Sequence, residues 1–154
     1  MKPHLLALGD GALTLEFGER IDPALNAQVI ATRDALAAMK LDGISDMVPS
    51  WRSLTVHFDP LRVDREQLGE HLLQCAQAET QKSALVRRWQ IPVAFGAEFG
   101  PDLASVAQAT GRSAAEVIAA LCAIELRVFL IGFLPGFPYL GELPDWLRLP
   151  RLAT

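Results

Sequence analysis

The chain is poor in the residues that usually announce chemistry. Its 154 residues include only two cysteines, Cys75 and Cys122, which form no CxxC pair. Both fall on predicted helices, and a reducing, cytoplasmic compartment is the expectation. The three histidines, His4, His57 and His71, stand far apart and share no ligand spacing with the cysteines, so no metal site is expected. Basic residues are in deficit, 14 Lys and Arg against 18 Asp and Glu. A nucleic-acid partner, which needs clustered cations against phosphate, is therefore not expected. Long hydrophobic runs are missing as well. The longest uncharged stretch, Val128 to Gly141, is short and contains Pro135 and Pro138, whereas a spanning helix wants ~20 apolar residues. The beginning, Met1-Lys2-Pro3-His4-Leu5, carries no apolar leader, and the expectation is of no secretion and no membrane partner.

Familiar catalytic patterns fail on particular residues. Gly9-Asp10-Gly11 opens like a dinucleotide loop but lacks the third glycine and leads into a strand. No GxxxxGK[ST] occurs, and the segment Gly132 to Gly141 contains no lysine. Gly43-Ile44-Ser45-Asp46-Met47 misses the second glycine of a nucleophile elbow. The histidines read as ordinary polar-face residues and the cysteines as buried ones. Asp42, Asp46, Glu66 and Glu70 read as solvated faces.

What is present is a globular composition, 51% hydrophobic with a net charge of −4, and a length that suits one domain or two small ones. His4 to Leu8 and Leu13 to Phe17 read as two strands around Gly9-Asp10-Gly11, the second alternating apolar and polar. Asp22-Pro23 opens a helix with Leu25, Val29 and Leu36 on one face and Gly43 just beyond its end. Ile44 to Pro49 and Ser53 to Phe58 form a second strand pair. Asp64, with Gln67 three residues on, caps a second helix that buries Leu68, Leu72 and Cys75, with Val63 stapling against Leu68. A further strand over Val86 to Val93 would complete a ferredoxin-like split βαβ sandwich.

A polar seam at about Ala78 to Leu85 separates this α/β domain, residues 1–85, from a second region, 86–154. There, Gly100-Pro101-Asp102 starts a short helix that Gly111 ends. Ser113 with Glu116 is a full capping box for another helix, which should bury Val117, Ile118 and Leu121. Glu125 to Ile131 reads as a strand.

The segment that follows is unusual. In Gly132-Phe133-Leu134-Pro135-Gly136-Phe137-Pro138-Tyr139-Leu140-Gly141, prolines and glycines exclude regular helix while three aromatic rings and two leucines contradict a solvated loop. Such a segment is covered by its own domain, by a partner or by a ligand it helps to line, and spacing alone leaves these open. Phe137-Pro138 is also a candidate cis peptide.

Extended to Phe129-Leu130-Ile131 before it and to Leu143-Pro144 and Leu149-Pro150-Arg151 after it, this segment resembles the signature of the 5-oxoprolinase B-subunit family, also known as KipI-type proteins or allophanate hydrolase subunit 1. Gly9 to Leu13 with Glu16-Phe17-Gly18, Val48-Pro49-Ser50-Trp51, and Ile91-Pro92-Val93 with Glu98 to Leu103 carry the likeness along the chain. The resemblance implies an α+β architecture: the N-terminal domain is followed by the incomplete start of a cyclophilin-like β-barrel, C-terminally truncated relative to the family. It implies a non-autonomous part of an ATP-dependent hydrolase, working with the partner C and A subunits of 5-oxoprolinase to cleave 5-oxo-L-proline to L-glutamate, with ATP and Mg²⁺ bound at the level of the complex. Other members imply alternatives, a protein that inhibits a sensor histidine kinase or a subunit associated with allophanate and urea degradation. Where the family carries a histidine and tyrosines, this chain has Leu121, Leu126 and Phe129.

Coupling to ATP suggests phosphorylation of the lactam oxygen, a matter of positioning and charge neutralisation by Mg²⁺ and arginine. Arg127, Arg148 and Arg151 are the cations nearest the unusual loop. No catalytic residue is assigned. Substrate- or nucleotide-binding candidates are Arg127, Gly132, Phe133, Pro135, Gly136, Phe137, Pro138, Tyr139 and Arg151, near a site that a partner subunit completes.

Overall fold

The computed structural model describes residues 2–77 and 87–150. Contacts divide the chain into two compact units, the first containing residues up to 85 together with Phe129–Tyr139, the second residues Val86–Val128 and those from Leu140 on.

The first unit is built on strands β1 (His4–Ala7), β2 (Ala12–Glu16), β3 (Ile44–Pro49) and β4 (Ser53–Phe58), with helices α1 (Pro23–Ala38) and α2 (Arg65–Cys75). The sheet order is β1-β2-β4-β3 and every neighbouring pair is antiparallel. Consequently β2 and β3 run parallel with β4 between them, and α1 connects them. Alternation decides the faces: Leu13, Leu15, Leu54, Val56 and Phe58 point to the helices and are buried, while Thr14 and Thr55 face away and join their hydroxyls at 2.8 Å. Helix α1 packs on β3 and β4, α2 packs on β2, and the helices pack on each other.

Both expected caps form. Asp22 Oδ1 accepts from the Ala24 amide at 2.6 Å, and Asp64 Oδ1 accepts from the Gln67 amide at 2.9 Å. Along α1 the buried stripe is Asn26, Val29, Thr32 and Leu36. The helix stops at Ala38, earlier than the position of Gly43 suggested, because Lys40 supplies the left-handed residue (φ 51°). Gly43 (φ 88°) instead turns the chain into β3. In α2, Gly69 allows close approach to β1, since a Cβ there would lie 2.9 Å from Leu5 Cδ1.

The strand expected over residues 86–93 is a correction. Residue 86 lies outside the described residues, and 87–93 belong to no sheet, with Trp89, Ile91 and Val93 at 76%, 77% and 62% exposure. The place beside β2 that such a strand would fill is already held by β1, paired Leu5 to Leu15.

The second unit contains α3 (Leu103–Thr110) and α4 (Ala114–Ala123), which pack on each other. Gly111, at φ 65°, ends α3, and Ser113 with Glu116 forms the reciprocal capping box of α4. Val117 is buried, whereas Ile118 and Leu121 are only half-buried and Cys122 is exposed, which corrects the expectation of a buried cysteine there. Arg112 stacks over Trp146 at 4.2 Å from the ring centre. The expected strand from Glu125 shortens to β5 (Val128–Ile131), paired with β6 (Pro138–Leu140). Among the described residues no helix is long and apolar enough to cross a membrane.

Candidate functional site

The β5–β6 hairpin carries the unusual segment, and its turn follows from its residues. Pro135 presets the first corner and Gly136 takes φ 79° at the second, the proline–glycine pattern of a type II turn, closed by the Phe137 amide on the Leu134 carbonyl at 3.0 Å. A tighter three-residue turn precedes it: the Leu134 amide donates to Gly132 O at 2.8 Å, which forces Phe133 to φ 65°. The Gly132 amide donates to Phe137 O at 3.0 Å and closes the loop. Peptide bonds are trans throughout the described residues, so the expected cis candidate Phe137-Pro138 is not cis.

The hairpin is buried at its root and bare at its tip. Phe129 is 7% exposed and lies 4.7 Å, ring centre to ring centre, from Trp51 in the turn between β3 and β4. Trp51 meets Tyr139 edge-on at 6.3 Å, Tyr139 meets Phe137 at 5.4 Å, and Phe137 meets Phe133 at 6.1 Å. This aromatic ladder ends in water: Phe137 is 46% exposed and Phe133 84%, with Leu134 and Ile131 also open. Monomeric surfaces rarely hold such an apolar group together unless it meets something.

Behind the ladder lies a residue that sequence reading passed over. Asn26, buried on α1, donates from Nδ2 to Ser50 O at 3.0 Å and to Phe129 O at 3.3 Å. Its signal in the sequence was a polar side chain at an apolar-stripe position, three residues before Val29. Beside the Trp51 turn, Arg52 pairs with Glu16 Oε1 at 2.5 Å and donates to Gly18 O, and His4 Nε2 lies 3.0 Å from Glu16 Oε2. These charges are satisfied among themselves. Ser50 and Ser53 join hydroxyls at 2.7 Å.

Of the candidates from sequence, Gly132 and Tyr139 are half-buried while Phe133, Pro135, Gly136, Phe137 and Pro138 are exposed, all on this hairpin. Arg127, in the second unit, is exposed, and its carbonyl accepts from the Gly141 amide at 2.7 Å. Arg148 is held by Glu142 at 2.6 Å and Asp145 at 3.4 Å. Arg151 lies outside the described residues. The resemblance implies ATP and Mg²⁺, but the described residues do not fit them. The amides of Gly132, Leu134 and Phe137 are used inside the hairpin, and no group of three acidic, histidine or cysteine side chains is placed to hold a metal ion. Two shallow hollows beside α2 add no chemistry: in one, Arg62 pairs with Asp42 and Asp64 caps the helix; the other is lined mainly by Leu5, Leu13, Gly69 and Leu73.

A sheet–helix unit with an aromatic hairpin pinned to one of its turns, and no nucleophile or acid–base pair beside it, describes a structural part of a larger enzyme better than a complete active site. Residues 3–154 match the carboxyltransferase domain, subdomain C and D, and the chain belongs to that family. Among known proteins it is 32% identical to the B subunit of 5-oxoprolinase from Bacillus subtilis (strain 168), over 96% of this chain and 66% of that protein. It is 31% identical to the protein of the same name from Escherichia coli O157:H7, over 95% and 66%. The chain thus spans just under two-thirds of the length of these relatives. Among solved structures, TTHA0988 superposes with a TM-score of 0.77 at 34% identity, covering 93% of this chain and 28% of that one. The Kluyveromyces lactis urea amidolyase shares the fold at a TM-score of 0.60 and 16% identity, over 84% of this chain and 9% of its own.

Proposed function

We propose that this chain is a non-autonomous part of an ATP-dependent 5-oxoprolinase assembly that cleaves 5-oxo-L-proline to L-glutamate, inactive by itself, and that its aromatic hairpin is where a partner subunit of that assembly docks. The observation that carries the reading is the gradient along the hairpin, from Phe129 enclosed against Trp51 to Phe133 at 84% exposure. The names of the relatives supply the reaction. ATP with Mg²⁺ is then held by other subunits, since the described residues offer no cradle for it, and Arg127 and Arg151 remain candidates for contact with substrate. In this reading the first unit is a ferredoxin-like split βαβ sandwich whose outer strand comes from the N-terminal side. The second is the start of a cyclophilin-like barrel, supported by the alternating, exposed Trp89, Ile91 and Val93. No observation favours the kinase-inhibitor alternative or the urea-linked one.

Exposed aromatic side chains that become enclosed at an interface are the ones whose truncation costs most binding. The chain is mixed with candidate C and A subunits, and their association is measured together with ATP-dependent glutamate release. The double substitution Phe133→Ala, Phe137→Ala should weaken association at least tenfold while leaving the unfolding midpoint of the chain unchanged. Unaltered association overturns the docking role, and absence of glutamate release from a fully associated assembly overturns the reaction.

A further inference from the structure

We infer that Asn26 is the positioning residue of the aromatic hairpin: its buried carboxamide ties the hairpin root to the turn between β3 and β4 and so sets where Phe133 and Phe137 stand. The inference concerns this chain alone and holds whichever partner the tip meets. Asn26 is 2% exposed on the stripe that α1 turns toward the sheet, between residues of carbon. A carboxamide taken out of water there is unfavourable unless its donors find acceptors. It finds two, and they belong to segments far apart in sequence: Ser50 O at 3.0 Å, 24 residues away, and Phe129 O at 3.3 Å, 103 residues away. Both acceptors are main-chain carbonyls, so the fork fixes backbone positions.

The Trp51–Phe129 ring contact joins the same two segments, yet stacked rings can slide over one another. A side chain with two donors on two carbonyls cannot slide without losing a bond in a place water does not reach. Asparagine suits the task because it is short, rigid and offers both hydrogens from one nitrogen. Aspartate has its shape and no donor.

The test is amide hydrogen exchange in the folded chain, comparing Gly132 and Phe137, whose amides close the hairpin, with Leu54 and Val56 in the middle of the sheet. In Asn26→Asp the carboxylate faces two carbonyl oxygens. Exchange at Gly132 and Phe137 should accelerate at least tenfold while Leu54 and Val56 stay within twofold of the parent. Asn26→Ser, with a single short donor, should move the same two amides in the same direction. A purely structural role would raise all four rates together, and that result overturns the inference. So does a folded variant with an unchanged hairpin, and so does failure of both variants to fold, which would make Asn26 a requirement of the sheet–helix layer itself.

Discussion

The two compact units treat similar sequence in opposite ways. In the first, Leu15, Val29, Leu54, Val56 and Leu72 are wholly enclosed. In the second, Val117 and Leu147 are buried, while Trp89, Ile91, Val93 and Phe99 face water although they are as apolar as anything in the sheet. The alternation over residues 89–93 is that of a strand, so the difference does not lie in residue type. It lies in the backbone: a strand buries its apolar face only when its amides and carbonyls are paired on a ladder. The first unit supplies those ladders from its own four strands, and the described residues of the second leave 87–93 without one.

The sharpest way to break this comparison is to truncate one side chain in each unit. Leu54→Ala should cost about 2–5 kcal/mol, and Ile91→Ala should stay within about 0.5 kcal/mol, both read from urea unfolding of the chain. Equal losses would show that Ile91 is covered in solution. The cysteines give a second contrast. Burial pushes the Cys75 thiol above its ordinary value, so at neutral pH it remains protonated and enclosed, whereas Cys122 is exposed on α4. A thiol reagent at pH 7 should label one residue, Cys122, in the native chain and Cys75 only after denaturant is added.

The smallest effect is at the capping box of α4. The hydrogen bonds from Ser113, backbone first and then hydroxyl, hold the Glu116 carboxyl below its ordinary value near 4.5. A group whose value is lowered by folding lends stability that is complete above its unfolded value and disappears as pH falls through the folded one. The α4 helix should therefore hold its strength above pH ~5 and fray on acidification below the ordinary carboxylate range. Glu116→Gln should flatten that dependence, followed by carbon-13 shifts of residues 114–118.

Much of the first unit was legible because local signals agreed with one another. Asp22-Pro23 and Asp64 marked helix starts, and the alternations around Leu15 and Leu54 marked strands and their buried faces. The edge position of β1 was not legible, because period-2 patterning says which face is buried and nothing about which strand lies beside which. That gap produced the false strand over 86–93. At the site, the prolines, glycines and rings of 132–141 marked the hairpin, and Gly136 supplied the positive φ its type demanded. Asn26 was hidden for a different reason. Its two acceptors are carbonyls, which every residue carries, so no pattern of side chains points to them.

The turn at Phe133 has a consequence for how the hairpin is met. A phenylalanine held at φ 65° sits about 1 kcal/mol above its relaxed backbone, and the amides of Gly132, Leu134 and Phe137 are already engaged within the loop. The apex therefore presents aromatic and aliphatic carbon with little polar lettering. Recognition of such a surface is by shape: it tolerates salt that would dissolve a charged contact, and it leaves a negative heat-capacity change as its thermodynamic mark.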